Sequence, residues 1–134
     1  MKLLIRIYVK GSTRKNVVTA GVYRNDQLLF FKNSGIQGDT TRNQAEWEAV
    51  VHAMNIVRDN FPKEEIEMYT DSILVYKHLN GIFKIQDKEL KRRYMEWNTI
   101  KNILKYQYSG CDIAYNCIEG DTNQARKYIK RYRK

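Results

Sequence analysis

The chain's stock of metal-ligating and acid–base side chains is small in histidine and cysteine and rich in cations. Cys111 and Cys117 have neither a histidine nor another cysteine at zinc-ligand spacing, and two cysteines cannot make a disulfide framework, so they read as reduced structural thiols. His52 falls inside a helical pattern and His78 on a shorter one, positions that suit structural or exposed imidazoles better than catalytic ones. The cations invite a different chemistry. Lys+Arg number 24 against 15 Asp+Glu, a formal net charge of +9. The excess is uneven: residues 1–83 carry 11 basic and 9 acidic side chains, residues 84–134 carry 13 and 6. The Lys91-Arg92-Arg93 run and the tail Lys127, Lys130, Arg131, Arg133 and Lys134 can supply sequence-independent phosphate contacts, or can simply solvate a helix face. The ten tyrosines can stack on bases or pack in strands and cores. Composition thus permits a nucleic-acid partner without requiring one.

The elements that must position these groups follow from periodicity. At 134 residues and 43% hydrophobic, the chain suits one domain over residues 1–134, burying roughly two-thirds of its unfolded surface. No apolar run approaches the roughly 20 residues of a membrane span. Arg6 interrupts the apolar opening MKLLIRIYVK and no small-residue cleavage site follows, so a signal peptide is not expected and a cytoplasmic location is. Lys2–Val9 alternates as a strand and Gly11-Ser12 reads as a break. Val17–Arg24 and Gln27–Lys32 are strand-like runs joined by Asn25-Asp26, a pair suited to a tight hairpin, with 33–41 as loop. From about Asn43 the period becomes helical, with Ala45, Ala49, Val50, Ala53, Ile56 and Val57 on one face. Ile66–Thr70 is a short strand, and Ser72–Asn80 a short helix closed by Gly81. Asp87 caps a long helix whose inner face includes Leu90, Tyr94, Trp97, Ile100 or the Lys101 stem, and Leu104. Cys111–Cys117 alternates as a last strand, and Asn123–Tyr132 reads as a basic terminal helix. The order is βββ-α-β-α-α-β-α.

Three segments are more specific together than singly: IYVKGS at the end of the first strand, NQAEWEAVV opening the first long helix, and IEMYTDSILVYKHLNGIFK from the fourth strand onward. In this order and spacing the chain resembles the ribonuclease H family, in particular its compact type 1 branch, over essentially its whole length. That branch reads roughly YVDGS, N-x-AEY, YTDSxLVxxxxNGxxK, then an alternating strand and a terminal helix. The resemblance implies an α/β ribonuclease H-like fold with a five-stranded mixed sheet, three antiparallel strands followed by parallel additions, flanked by helices. It also implies a site of four carboxylates holding two Mg²⁺ or Mn²⁺ ions, since hard cations take oxygen ligands. Glu46 and Asp71 match two of the four positions. Taken alone, Glu46 would read as an exposed helix-face carboxylate and Asp71 as a helix N-cap.

The other two positions are inverted. Lys10 stands where the family has an aspartate after its first strand, and Arg126 stands where the terminal helix has one. Lys10, Glu46, Asp71 and Arg126 sum to zero instead of −4, and the two cations are placed to pair with the two carboxylates and fill the ions' volume. The loop before the last helix, CIEGDT, has no histidine or arginine for proton transfer or product handling. Asp121 is the nearest substitute carboxylate, ahead of Glu119 and Asp39. The remaining resemblance implies hybrid-binding groups at Gly11, Ser12, Asn43 and Ser72, with Arg42 replacing a family asparagine and Lys91, Arg92 and Arg93 adding phosphate contacts. The expectation is a non-catalytic module that binds RNA–DNA hybrid or double-stranded RNA and needs no cofactor. One alternative is an active hybrid endoribonuclease using Glu46, Asp71 and Asp121 with Mg²⁺ or Mn²⁺. Another is a protein-interaction scaffold or homodimer without a nucleic-acid role.

Overall fold

The computed structural model describes residues 3–109 and 113–129. Its sheet has five strands in the order β3-β2-β1-β4-β5. β1 (Leu4–Ser12) is central. It pairs antiparallel with β2 (Val17–Arg24) and parallel with β4 (Glu65–Thr70). β3 (Gln27–Gly35) extends β2 antiparallel, and β5 (Ile113–Cys117) extends β4 in parallel. The mixed topology is the one the family resemblance implies.

Each connection has a local cause. Asn25 and Asp26 both adopt left-handed backbone (φ 51° and 63°), the conformation a two-residue primed turn needs between Arg24 and its partner Gln27. Helix α1 (Arg42–Asn60) starts at a capping box, with Thr41 Oγ1 accepting from the Gln44 amide and the Gln44 side chain accepting from the Thr41 amide. Helix α2 (Ile73–Leu79) ends where Gly81 takes φ +70°, letting the Ile82 amide reach the Lys77 carbonyl and the Gly81 amide the His78 carbonyl, a Schellman closure. Helix α3 (Lys88–Gln107) is capped by Asp87.

Ile5, Ile7 and Val9 alternate inward on β1 and pack beneath α1, whose Ala45, Ala49, Val50, Ala53, Ile56 and Val57 are all buried. Helix α3 lies against α1 through Leu90, Trp97, Ile100 and Leu104. Ile100 takes the buried place, while Lys101 lies outside with its Nζ 4.9 Å from the Trp97 ring centre. The short helix α4 (Arg126–Ile129) lies over the opposite face, where Tyr128 stacks on Phe31 (centroids 4.6 Å apart) and hydrogen-bonds the Tyr23 hydroxyl. Tyr8, Tyr23 and Tyr69 pack ring to ring on the same face, so these tyrosines serve the sheet. No helix among the described residues is long and apolar enough to cross a membrane.

Three boundaries differ from the sequence reading. β1 does not break at Gly11-Ser12, because those residues keep pairing with Val18 and Val17. β3 runs on through Asn33, Ser34 and Gly35, paired with Thr19, Val18 and Val17, because an edge strand tolerates the polar Asn33 and Ser34 side chains. The terminal helix begins at Arg126, because Asn123 uses its side-chain oxygen to accept from the Ala125 amide in a non-helical turn. Its expected continuation to Tyr132, like Cys111 at the start of the last expected strand, lies outside the described residues.

Candidate functional site

The site forms at one end of the sheet, where parallel β1 and β4 finish side by side. Their register pairs Leu4 with Glu65 and Tyr8 with Tyr69, which brings Lys10 level with Asp71 just past the last ladder pair. Helix α1 crosses this end closely. A Cβ on Gly11 would lie 2.3 Å from the Ala45 carbonyl oxygen, a distance no side chain can occupy. The glycine that punctuates the sequence is therefore a packing requirement, and it brings Glu46 onto the strand end.

Glu46 is buried, with a side chain 3% exposed, and its Oε1 accepts from the Gly11 amide at 2.8 Å. The exposed helix-face reading of Glu46 is thereby corrected. Lys10 Nζ lies 2.9 Å from Asp71 Oδ1 and 3.3 Å from Glu46 Oε1, so one ammonium bridges both carboxylates. The other Asp71 oxygen, Oδ2, accepts from Asn123 Nδ2 at 3.2 Å, and the same amide nitrogen donates to the Val9 carbonyl at 2.9 Å. Asp71 does not cap α2; Ser72 does, through the Val75 amide. Burial pushes the Glu46 carboxyl up to about 7; the Lys10 charge and the Gly11 amide oppose that rise, and the Asp71 charge adds to it.

The structure thus joins Lys10, Glu46, Asp71 and the backbone of Gly11. Arg126 does not join them. It is exposed and makes no carboxylate contact within 4 Å among the described residues, which corrects the expected second ion pair. Gly120 separates it from Asp71: a Cβ there would lie 3.1 Å from Arg126 Nη1 and 3.6 Å from Asp71 Oδ2. Asp121 is exposed in a single 3₁₀ turn, Gly120–Thr122. Among the described residues no group of three or more His, Cys, Asp and Glu side chains could hold a metal ion. The donor set does not fit a pair of divalent ions, because the two carboxylates already share a cation in the space between them.

Arg42 and Asn43 are exposed on the first turn of α1, and Ser12 Oγ accepts from the Lys15 amide across the β1–β2 turn. Lys91 and Arg92 are exposed on α3. Arg93 is not: its Nε lies 2.8 Å from Glu48 Oε1 and its Nη1 donates to the Glu89 carbonyl at 3.0 Å, tying α3 to α1. The expectation of a surface phosphate contact from Arg93 is corrected accordingly. Both histidines are structural. His78 Nδ1 accepts from Trp47 Nε1 at 3.2 Å, a His52 ring nitrogen lies 2.9 Å from the Lys32 carbonyl, and burial holds both below the usual imidazole range. Asn123 was missed as a site residue. Its only sequence signal was its place three residues before Arg126, within the segment that aligns with the family's last helix.

The RNase H family model matches residues 4–125 of the chain. The chain belongs to the RNase H family. Ribonuclease HI of Halobacterium salinarum is 31% identical over 93 residues, which cover 66% of this chain and 46% of that protein, so the match spans about half the length of the relative. Two solved structures share the fold at lower identity. LC11-RNase H1, solved in complex with an RNA/DNA hybrid, superposes with a TM-score of 0.81 at 23% identity, over 95% of this chain and 94% of that one. RNase H1 from H. salinarum superposes with a TM-score of 0.76 at 24% identity, over 96% and 99% of the two chains. The family's activity ordinarily runs on Mg²⁺ or Mn²⁺, which makes the Lys10 bridge the chain's most consequential departure.

Proposed function

We propose that this RNase H-family chain binds nucleic acid, as RNA–DNA hybrid or double-stranded RNA, without metal-dependent cleavage. The observation that carries the reading is the Lys10 ammonium held 2.9 Å from Asp71 and 3.3 Å from Glu46. Fully ionised, those three groups total −1. Without Lys10 they would total −2, so the ammonium takes away about 8 kcal/mol of the attraction that a divalent ion about 4 Å from it would feel at an effective dielectric of 20, twice the unit-charge value. Direct charge contact through exposed Lys91, Arg92, Arg42 and Arg126 remains open to a phosphate backbone. The hybrid bound by LC11-RNase H1, a protein of the same fold, supports that partner class. The rival in which Asp121 completes a metal site gains nothing from its exposed turn. A cytoplasmic location is part of the reading, in keeping with two cysteines that are too few for a disulfide framework.

A gel assay on an end-labelled hybrid with Mg²⁺ or Mn²⁺ tests the reading. The expected result is retention of intact hybrid by the protein, in EDTA as well as in metal. Metal-dependent turnover that Glu46→Gln abolishes would overturn it.

A further inference from the structure

Beside the Lys10 bridge lies an open cleft of about 410 Å³, within the size range of small-ligand pockets. Among the described residues five cations line it, Lys10, Arg14, Lys15, Arg42 and Arg126, and no acidic side chain does. Lys10 is neutralised by Glu46 and Asp71. The other four have no carboxylate within 4 Å among the described residues; Lys15 reaches only the Ile129 carbonyl, at 3.5 Å. Arg42 also opens the 19-residue helix α1, whose first turn contains no acidic residue, so the partial positive charge of that helix end adds to the same cleft. Four like charges gathered around one concavity repel one another, and only an anion offsets that repulsion.

We propose that this cleft takes phosphate groups directly, with no bridging divalent ion, from a ligand carrying more than one phosphate charge. Arg14 and Arg126 are the principal donors, Lys15 and Arg42 the flanking ones, and Lys10 acts only from behind by keeping the carboxylates neutralised. A single phosphodiester balances one of four positive charges, so the ligand presents several phosphates in succession. A nucleic-acid backbone and a free polyphosphate share this chemistry, and the backbone source rests on the proposed function above.

The two sources separate in one experiment, run in EDTA. The probes are a fluorescent RNA–DNA hybrid of about 18 base pairs and inorganic tripolyphosphate, the latter followed by calorimetry and as a competitor. Arg14→Gln/Arg126→Gln is compared with Arg58→Gln/Lys63→Gln, which removes the same charge at the far end of α1. Arg14, Lys63 and Arg126 are exposed and Arg58 is half-buried beside Asp59, and thermal melts establish that both variants fold. The cleft variant is expected to lose hybrid affinity about tenfold or more at 50 mM salt and to flatten the log–log salt slope by about 2, near 0.9 for each lost phosphate contact. The control should change affinity less than threefold. Tripolyphosphate should compete with the hybrid on the native protein and lose its binding heat on the cleft variant. Hybrid binding that is equally strong, or equally weakened, in the two variants overturns the cleft while leaving the proposed function standing. Tripolyphosphate binding that depends on Arg14 and Arg126, with no hybrid affinity at any salt, keeps the cleft and overturns the proposed function. No binding of either probe overturns both.

Discussion

Two neighbouring regions of this molecule use cations in opposite ways. At the end of β1 and β4, Lys10 is 15% exposed and held by two nearly buried carboxylates. In the adjoining cleft Arg14, Lys15, Arg42 and Arg126 have no carboxylate within 4 Å among the described residues. Burial explains the difference. An ammonium and two carboxylates withdrawn from water must neutralise one another, whereas cationic side chains in contact with water can stay unpaired until a ligand arrives. The buried cation therefore organises the protein's own charges, and the exposed ones are available to a partner. The Glu48–Arg93–Glu89 contacts repeat the first pattern on α1 and α3, which is why Arg93 belongs with the interior and not with Arg92 beside it.

The largest test of that contrast is Lys10→Met, which leaves Glu46 and Asp71 buried together without their cation. Urea unfolding at pH 8 should show a loss of about 3–5 kcal/mol. The loss should shrink at pH 5. Burial already raises Glu46 to about 7 in the folded protein from 4.5, and removing Lys10 raises it further. A carboxyl with a raised folded pKa destabilises as pH climbs through the unfolded value toward the folded one, and contributes no penalty below both. A pH-independent loss would break the assignment of the effect to charge.

Next in size is the reverse experiment. Lys10→Asp/Arg126→Asp restores an all-carboxylate donor set at the four matched positions. In millimolar Mn²⁺ its melting temperature should rise by several degrees while the native protein moves by less than one. Equal responses would show that Lys10 does not govern metal access. A smaller effect concerns pH and the partner. Between pH 8 and 6.5 Glu46 takes up a proton, so the three buried groups move from −1 toward zero. Burial holds His52 and His78 below the usual imidazole range, so they gain less charge over that interval than free imidazoles would. Hybrid affinity measured by anisotropy should strengthen about threefold over that interval and should not do so in Glu46→Gln. Smallest of all is Asp121→Asn, expected to change stability by less than about 0.5 kcal/mol and leave hybrid affinity unchanged; a large loss of either would return Asp121 to the site.

The architecture was readable because each element carried its own period: the inward alternation of Ile5, Ile7 and Val9, and the small-residue face of α1 at Ala45, Ala49 and Ala53. The inversion at Lys10 and Arg126 was readable as a departure from the family pattern, but their different fates were not. Lys10 extends from a strand end that α1 closes over, while Arg126 stands on a four-residue helix held by Tyr128, with Gly120 between it and Asp71. Gly11-Ser12 looked like an ending because a glycine needed for close helix approach and one needed for a turn are the same letter. Asn123 and the burial of Arg93 depend on contacts 114 and 45 residues away in sequence, to Val9 and Glu48, which no local pattern encodes.

A crystal soaked in Mn²⁺, with data collected at the manganese edge, addresses the substitution of a side-chain cation for metal at its source. Continuous density for the Lys10 side chain between Glu46 and Asp71, with no anomalous peak there, is the expected map. An anomalous peak coordinated by those two carboxylates, with Lys10 swung out to solvent, would contradict it.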